Sequence, residues 1–200
     1  MSPRPDVSEQ RRAQIIEAAT AVFARFGFSK TRMDDIAKES GLSKGALYLY
    51  FKSKEDILGG ILDNFFQREF NYIAQMSVDE SRSAREKIAS LTEVILGDIL
   101  KMQFAIPIFF EFWSMSFRKK PVRRIFQKYM EDYIKLVVPI VEEGIASGDF
   151  REGNAYDISM AYGAMMEGSM VLWSYDPDNI NLKELLSKNA EIFLDGLKLN

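Results

Sequence analysis

The 200-residue sequence contains neither cysteine nor histidine. Their absence excludes disulfides, thiolate metal sites, histidine zinc sites and the Ser-His and Cys-His relays of nucleophilic catalysis. An enzyme built from this chain would depend on carboxylates, lysine, tyrosine or a bound cofactor. We therefore predict no catalytic residue, no metal site and no cofactor. The absence of cysteine is also compatible with a reducing cytoplasm.

Long apolar runs are missing as well. The most apolar stretch, AIPIFFEFW at residues 105–113, is too short to span a bilayer and is interrupted by Glu111. The N-terminal residues MSPRPDVSEQRR lack the apolar region of a secretory signal. These two features predict a cytoplasmic protein without a membrane partner.

The net charge of −3 conceals an asymmetry along the chain. Residues 1–54 contain ten Lys and Arg against six Asp and Glu, a net charge of +4. The remaining 146 residues contain 16 against 23, a net charge of −7. A basic first part favours contact with a polyanion, although charges at this density also occur on ordinary solvated surfaces.

Apolar residues recur with the period of an α-helix through nearly every segment. Over residues 8–52 this pattern predicts three short helices in a compact unit, with Gly27 ending the first. We predict an all-α fold of about nine helices, with an N-terminal head at residues 1–53 and a larger helical body at residues 54–200. The helices of the body are predicted at about residues 54–76, 84–103, 107–117, 121–146, 154–174 and 181–198.

Three residues in this first part are predicted to begin helices. Thr31 precedes Asp34 by three residues, which resembles a capping box. Ser43 and Ser53 each stand before a further helical pattern. A serine side chain in that position accepts a hydrogen bond from a free backbone N–H of the first turn.

The stretch GLSKGALYLYFKSKEDIL, residues 41–58, has a composition that helix stability alone does not explain. A glycine such as Gly45 costs about 1 kcal/mol in a helix interior. Two short helices joined by ESGLS and braced by a preceding helix form a helix-turn-helix arrangement, whose second helix can enter the DNA major groove. There, a missing side chain permits close approach to the groove. The pattern alone does not separate this unit from helix-turn-helix units that never touch DNA.

Seven residues are candidates for DNA contact. Lys44, at the start of the second helix, can reach guanine O6 and N7 or a phosphate. Ser43 lies where free backbone N–H groups favour a phosphate. Tyr48 and Tyr50 offer hydroxyls to phosphate oxygens. The candidate DNA-binding residues are Arg32, Ser43, Lys44, Gly45, Tyr48, Tyr50 and Lys54.

Residues 11–58 resemble the DNA-binding region of the TetR family of bacterial transcriptional regulators. The spacing is kept without gaps, while the rest of the chain agrees in helix count and in the SGDFR loop before the last two helices. Tyr50 stands where many members have histidine, which changes the phosphate donor. The matching positions are Arg12, Ile15, Ala19, Phe23, Gly27, Thr31, Ile36, Ala37, Gly41, Ser43, Gly45, Leu47, Tyr48, Phe51, Lys54 and Leu58.

The resemblance implies a ligand-responsive homodimer that binds a near-palindromic operator in double-stranded DNA. Members usually act as repressors and are released when a small molecule enters the body. We expect such a ligand to favour a conformation in which the connector helix, residues 54–76, sets the heads at a spacing unsuited to DNA. By position, the resemblance implies contacts with the DNA groove or the DNA backbone for Lys44, Gly45, Tyr48, Tyr50 and Lys54.

The last two predicted helices carry broad apolar stripes. The resemblance implies that they form a four-helix interface between two subunits; the alternative is that both pack on their own subunit. We favour the dimer because two-fold operator recognition needs two heads about 34–36 Å apart. The candidate interface residues are Ile158, Met165, Ser169, Trp173, Leu186, Phe193 and Leu197.

Aromatic residues and methionine are dense between the head and the last two helices, which suits a deformable apolar cavity for an apolar or amphipathic effector. Glu111 and Glu167 lie in these apolar stretches. Their carboxylates can bind a cationic or amine-bearing lipophile; alternatively, each faces solvent or pairs with Arg or Lys. Most of the aromatic residues are expected to be ordinary core. The candidate ligand-binding residues are Phe109, Phe110, Glu111, Trp113, Phe117, Tyr133, Tyr162, Met166 and Glu167.

A second effector hypothesis rests on the basic run FRKKPVRR at residues 117–124. Such a cluster can receive an anionic ligand, for example an acyl carboxylate or the phosphates of acyl-CoA. A solvated loop between two helices explains the run equally simply. Two rival functions also stay open at this stage: an all-helical enzyme that uses carboxylates, and a helical scaffold or adaptor without a ligand.

Overall fold

The computed structural model describes residues 7–101 and 106–198, without the side chains of residues 65, 68 and 101. The described residues form nine α-helices and no β-strand, which confirms the predicted all-α fold. No helix in these ranges is long and apolar enough to cross a membrane. The helices are α1 (Val7–Phe26), α2 (Met33–Glu39), α3 (Lys44–Tyr50), α4 (Lys54–Ser77), α5 (Ala84–Lys101), α6 (Ile106–Ser116), α7 (Lys120–Ser147), α8 (Ala155–Tyr175) and α9 (Leu182–Gly196).

The chain divides into two compact units. The first contains the described residues up to Phe66 together with Ile106–Lys128, and the second contains Gln67–Lys101 together with the described residues from Tyr129 onward. The first unit therefore includes the start of α4 and all of α6 in addition to the three helices of the predicted head. A functional boundary after residue 53 stays a prediction. The ends of the predicted ranges, residues 1–6, 102–105 and 199–200, lie outside the described residues.

The first unit is built around a small aromatic core. Phe23 of α1, Phe28 of the following turn and Phe112 of α6 are all nearly fully buried. The Phe112 ring meets the other two edge-on, at centroid distances of 5.9 Å and 5.2 Å. Helix α6 is therefore packed into the same core as the three N-terminal helices.

The local signals for helix ends in the first unit are partly as predicted. Gly27 and Gly41 follow α1 and α2 with φ of 74° and 67°, a left-handed conformation that favours glycine. The hydroxyl oxygens of Ser43 and Ser53 accept hydrogen bonds from the Ala46 and Asp56 amides, so both predicted caps are confirmed.

The predicted capping role of Thr31 is wrong. Its hydroxyl is buried and donates to the Gly27 carbonyl at 2.8 Å, which keeps residue 31 in the turn after α1. Helix α2 consequently begins one residue later than predicted. The Arg32 amide donates to Asp35 Oδ2 at 2.8 Å, so Asp35 takes the place expected for Asp34.

The second unit packs α5, α7, α8 and α9 around buried aliphatic residues and tyrosine. Tyr162 of α8 is 1% exposed, and its hydroxyl lies 2.8 Å from the hydroxyl of Thr92 on α5. The buried Lys87 ammonium donates to both carboxylate oxygens of Glu143, at 2.8 Å and 2.6 Å, and links α5 to α7. These polar contacts fix the helices that surround the interior of the unit.

Candidate functional site

Helix α1 braces the helix-turn-helix segment from behind. The Gln14 side-chain amide donates to the Ser40 carbonyl at 2.7 Å, at the turn between α2 and α3. The Arg12 guanidinium donates to the Tyr50 carbonyl at 3.2 Å and lies 4.6 Å from the centroid of the Phe51 ring. Side chains of α1 thus hold the turn before α3 and the last residue of α3, which gives the outer face of α3 a defined orientation.

The outer face of α3 is open to solvent. Lys44, Gly45 and Leu49 are exposed and Tyr48 is half-buried, whereas Leu47 is completely buried. The spacing of the four outer residues places them on one side of the helix. We refer to Lys44, Gly45, Tyr48 and Leu49 as the α3 face.

Gly45 has no packing reason to be a glycine. A Cβ built at this position would meet no atom within 4 Å, and its φ does not lie in the left-handed region. A larger side chain would therefore fit the isolated chain. The role predicted for Gly45, close approach to the DNA groove, stays a prediction.

Lys44 is held in place by an ion pair. Its ammonium lies 2.7 Å from Asp34 Oδ1, and both side chains are exposed. The hydrogen bond and the negative charge of Asp34 raise the pKa of Lys44 above its ordinary value. A phosphate or a base edge that binds this ammonium has to compete with Asp34.

The remaining predicted DNA contacts differ in their surroundings. Arg32 is exposed at the start of α2, and Tyr50 is half-buried. Ser43 is exposed, and its hydroxyl oxygen caps α3. The DNA contacts of these residues stay predictions.

Lys54 has a role inside the first unit that the sequence did not predict. Its ammonium donates to the carbonyls of Phe28 and Thr31, at 2.7 Å and 2.6 Å, and lies 4.6 Å from the Phe28 ring centroid. Burial lowers the pKa of Lys54 below its ordinary value. Its contact with a DNA phosphate stays a prediction.

Leu49 is the outer residue that sequence reasoning missed. It is 77% exposed, and it lies four residues after Gly45 on the same face. The sequence contained this signal, because Leu49 is two residues after Leu47 and so cannot lie on the same buried face of the helix. An exposed leucine of this kind can contact a thymine methyl group.

One carboxylate oxygen of the predicted ligand residue Glu111 contacts the turn that follows α1. Its Oε2 accepts a hydrogen bond from the Phe28 amide at 3.1 Å, within the first unit. The charge of Glu111 also acts on Lys54, and its contact with a ligand stays a prediction. Glu111 and the neighbouring Phe112 together attach α6 to the turn that follows α1.

Four predicted ligand residues form a row of aromatic rings on and just after α6. Successive centroids along Phe109, Phe110, Trp113 and Phe117 are 5.7 Å, 6.2 Å and 5.4 Å apart, and all three pairs meet edge-on. Trp113 is 38% exposed and Phe117 is 63% exposed. The row therefore runs from half-buried rings to exposed ones at the surface of the first unit, and its ligand contacts stay predictions.

The other four predicted ligand residues belong to the second unit. Tyr133, Tyr162 and Met166 are buried, and the Tyr133 hydroxyl donates to the Ser159 carbonyl at 2.9 Å. Glu167 is an exposed residue, yet its carboxyl is enclosed enough that burial raises its pKa. These residues lie on neighbouring turns of α7 and α8, and their contact with a ligand stays a prediction.

Two buried carboxyls near them were missed by the sequence reasoning. Glu69 of α4 is 8% exposed and Asp98 of α5 is 9% exposed. Burial, followed by the charges of Asp98 and Glu167, raises the pKa of Glu69 to about 7. We refer to Glu69, Asp98 and Glu167 as the acidic cluster.

The predicted interface residues on α8 and α9 fall into two groups. Ile158, Met165, Trp173 and Phe193 are half-buried. Ser169, Leu186 and Leu197 are buried within the chain itself, and the Asn189 amide donates to the Ser169 hydroxyl at 2.9 Å. We therefore correct the last three to residues that pack inside their own subunit, because a side chain enclosed by its own helices has no surface left for a partner.

A different set of residues forms the outer face of α8. Ala161, Ala164 and Leu172 are exposed and follow one another at helical spacing, with Tyr175 77% exposed at the end. A Cβ added at Gly168, in the middle of this stripe, would meet no atom within 4 Å. Small residues flanked by large apolar ones allow close packing against another helix. On α9, Ile192 is 62% exposed.

Comparisons with known proteins agree with this geometry. The family described as "Bacterial regulatory proteins, tetR family" matches residues 15–61, and "QacR-like protein, C-terminal region" matches residues 71–199. The fatty acid metabolism regulator protein of Bacillus subtilis (strain 168) is 29% identical over 192 residues, which cover 92% of this chain and 94% of that protein.

Two solved structures are similar over nearly their whole length. A TetR transcription regulator from Haloarcula marismortui has a TM-score of 0.81 at 18% identity, covering 94% of this chain and 98% of that one. The transcriptional regulator FadR from Bacillus subtilis, in complex with stearoyl-CoA, has a TM-score of 0.69 at 25% identity, covering 92% and 98%. The first likeness shows the shared fold.

Proposed function

Since the chain belongs to the TetR family of bacterial regulatory proteins and is a DNA-binding transcriptional regulator, we propose that it acts as a repressor. In this proposal a homodimer binds a near-palindromic operator, and a small molecule that enters the body releases it. The family supports the class of protein, and the described geometry supports the roles of particular residues. Because its target is chromosomal DNA, we infer that it works in the cytoplasm.

The observation that carries the proposal is the open α3 face. Gly45 has free space on its outer side, with Lys44, Tyr48 and Leu49 around it and α1 holding the helix from behind. A helix with one bare position can approach base edges, while its neighbours supply a cation, a hydroxyl and an apolar contact. The proposal assigns base contact to Lys44 and Leu49 and backbone contact to Tyr48.

A dimer follows from the operator geometry and from the outer face of α8. Two heads must reach successive major grooves about 34–36 Å apart, which one chain cannot do. The stripe from Ala161 to Tyr175 is apolar, exposed and interrupted by Gly168. We assign the subunit interface to this stripe and to the exposed side of Ile192, in a two-fold arrangement.

The effector is proposed to be a small molecule with an apolar part. The relative from Bacillus subtilis is named for fatty acid metabolism, and its structure holds stearoyl-CoA. An acyl-CoA is accordingly one candidate for this effector. The carboxylate-based enzyme and the scaffold without a ligand are not favoured, since the relatives are transcriptional regulators.

Replacing Gly45 by leucine tests the proposal most directly. The variant should fold at least as stably as the unaltered protein, because leucine favours helix more than glycine does and the position is open. Binding to operator fragments should nevertheless weaken at least about tenfold, a loss of about 1.4 kcal/mol, because the side chain would collide with the groove. The fragments would be those selected from genomic DNA by the purified protein, with binding followed by fluorescence anisotropy. Full affinity in the leucine variant would contradict the assignment of the α3 face.

Replacing Lys44 by alanine should also weaken operator binding, by about 1–3 kcal/mol if the ammonium reads guanine. If it contacts a phosphate instead, the loss should be similar for all sequences, and the slope of log K against log salt should fall by about 1. Lys135→Ala, which removes an exposed cation from α7 in the second unit, is the matched control and should change neither quantity. Equal effects of the two substitutions would exclude a direct contact by Lys44.

A further inference from the structure

The start of α7 carries positive charge where a helix ordinarily carries negative charge. Free backbone N–H groups make the N-terminus of a helix positive, so acidic residues stabilise the first turn and basic residues destabilise it. The first turn of α7 contains no acidic residue, and Lys120, Arg123 and Arg124 lie at or close to its start. Lys120 and Arg124 are also four positions apart, a spacing at which like charges repel. The chain therefore keeps an arrangement that is locally unfavourable.

Little of this charge is neutralised within the part of the chain that the structure describes. Residues 112–130 contain six basic residues and no carboxylate. Two carboxylates of α4 pair with two of the six. No ion pair joins the exposed side chains of Arg118, Lys120 and Arg124 to a carboxylate in the described ranges. Counter-charge for these three has to come from ions in solution or from a bound polyanion.

Arg123 fixes the turn that joins α6 to α7. Its guanidinium donates to the carbonyl of the last residue of α6 at 3.0 Å and to the carbonyl of Phe117 at 2.7 Å. The Arg123 amide donates to the Lys119 carbonyl at 3.0 Å. We refer to Arg118, Lys119 and Lys120 as the basic turn. Because hydrogen bonds already hold its backbone, less conformational entropy is lost when it binds a partner.

The basic turn adjoins the part of the head that is predicted to meet DNA, within the first unit. The Lys119 ammonium lies 3.4 Å from Glu55 Oε1, in the first turn of α4. The ammoniums of Lys119 and Lys54 lie 5.6 Å and 4.6 Å from the centroid of the same Phe28 ring. Lys54 is a candidate for phosphate contact, so the basic turn continues a surface on which DNA phosphates are already expected.

We propose that Arg118 and Lys120 form a second phosphate-binding surface, which contacts the backbone of the double-stranded DNA that α3 binds. This surface adds affinity without sequence information, since phosphate contacts position a protein and do not read bases. Lys119 is paired with Glu55 and attaches the basic turn to α4. The inference rests on the proposed function, because DNA is the partner that the proposal assigns to the head.

The test is the salt dependence of DNA binding by the double variant Arg118→Gln/Lys120→Gln, measured by fluorescence anisotropy on the selected fragments. Each phosphate contact contributes about 0.9 to the slope of log K against log salt, so the slope should become shallower by about 1.8. We expect at least about tenfold weaker binding at about 50 mM salt, and a difference that shrinks about tenfold by about 200 mM. The same change in slope should appear with DNA of unrelated sequence.

Lys135→Gln/Lys188→Gln is the matched control. It removes two exposed cations from the second unit and changes the net charge by the same amount. Its slope should equal that of the unaltered protein, because charges that touch no phosphate release no counterions. Equal changes in the two double variants would therefore overturn the inference.

Lysine acetylation, followed by mass spectrometry, tests the unaltered full-length protein. Bound operator should slow the modification of Lys120 severalfold, because a phosphate covers its ammonium, and should leave Lys135 and Lys188 unchanged. Unchanged reactivity of Lys120 would overturn the inference. This measurement also decides alone if circular dichroism shows that the double variant does not fold.

The remaining outcomes separate DNA from other phosphates. An unchanged slope would overturn the inference, and weaker binding of the same variant to phosphatidylglycerol vesicles or to an acyl-CoA would then assign the basic turn to a membrane surface or to a soluble ligand. DNA that is bound with an unchanged slope rejects only this inference. Failure of the unaltered protein to bind any selected DNA rejects the proposed function itself.

Discussion

Replacing Phe112 by alanine should lower the free energy of unfolding by about 3–5 kcal/mol, the cost of removing a large ring from a close-packed core. Phe112 is fully buried, and its ring meets Phe23 and Phe28 edge-on. The loss combines the transfer free energy of the ring with a cavity between α6 and the N-terminal helices. Urea unfolding at a fixed protein concentration measures it, because dimer formation makes stability depend on concentration.

Phe117→Ala is the matched control for this prediction. It makes the same chemical change just after the same helix, at a residue that is 63% exposed. Its cost should stay below about 1 kcal/mol, since an exposed ring contributes little to the core. Similar losses in the two variants would mean that the buried aromatic contact does not hold α6 in the first unit.

Helix α6 carries two sets of residues with different surroundings. Glu111 and Phe112 attach it to the turn after α1, through the Phe28 amide and ring. Phe109, Phe110 and Trp113 form the aromatic row that extends toward the surface. The buried contacts and the aromatic row therefore occupy neighbouring positions of one helix.

Most of the helices could be predicted from the sequence because their signals are local. The 3.6-residue period is visible within a dozen residues, and the Ser43 and Ser53 caps act over three residues. Thr31 shows the limit of this reasoning. Whether a threonine caps the next helix or returns to the preceding turn depends on the path of the backbone, and here the Gly27 carbonyl was the partner.

Contacts between segments that are distant in the chain could not be predicted from the sequence. Glu111 reaches an amide 83 positions earlier in the chain, and nothing in either segment specifies that pairing. Lys54 matched a position expected to contact DNA, yet two carbonyls 23 and 26 residues away accept hydrogen bonds from its ammonium. Long polar side chains have several possible partners, so the tertiary structure selects among them.

Glu69 is a different case, because its burial could have been predicted from the helical period of the apolar residues around it. Leu62, Phe66, Glu69 and Ile73 recur at spacings of four, three and four residues, and all are nearly buried. A glutamate on the apolar stripe of the connector helix is therefore a detectable anomaly. The sequence could not have shown that Asp98 and Glu167 lie beside it.

Replacing Glu69 by glutamine should stabilise the unliganded protein at pH 8. In the folded protein the pKa of Glu69 is about 7, compared with an ordinary value of 4.5. The folded state therefore holds the proton more tightly than the unfolded state, and stability is lost as pH rises from about 4.5 through 7. Above pH 7 the full penalty of about 3 kcal/mol is present, and glutamine does not ionise.

The gain should accordingly depend on pH, with about 3 kcal/mol at pH 8 and about half of that at pH 5.5. Urea unfolding of both proteins at the two pH values measures the difference, and Glu93→Gln, at an exposed carboxylate of α5, should show no such pH-dependent gain. A glutamine variant less stable than the unaltered protein at pH 8 would mean that the ionised carboxylate already has a favourable partner inside the chain.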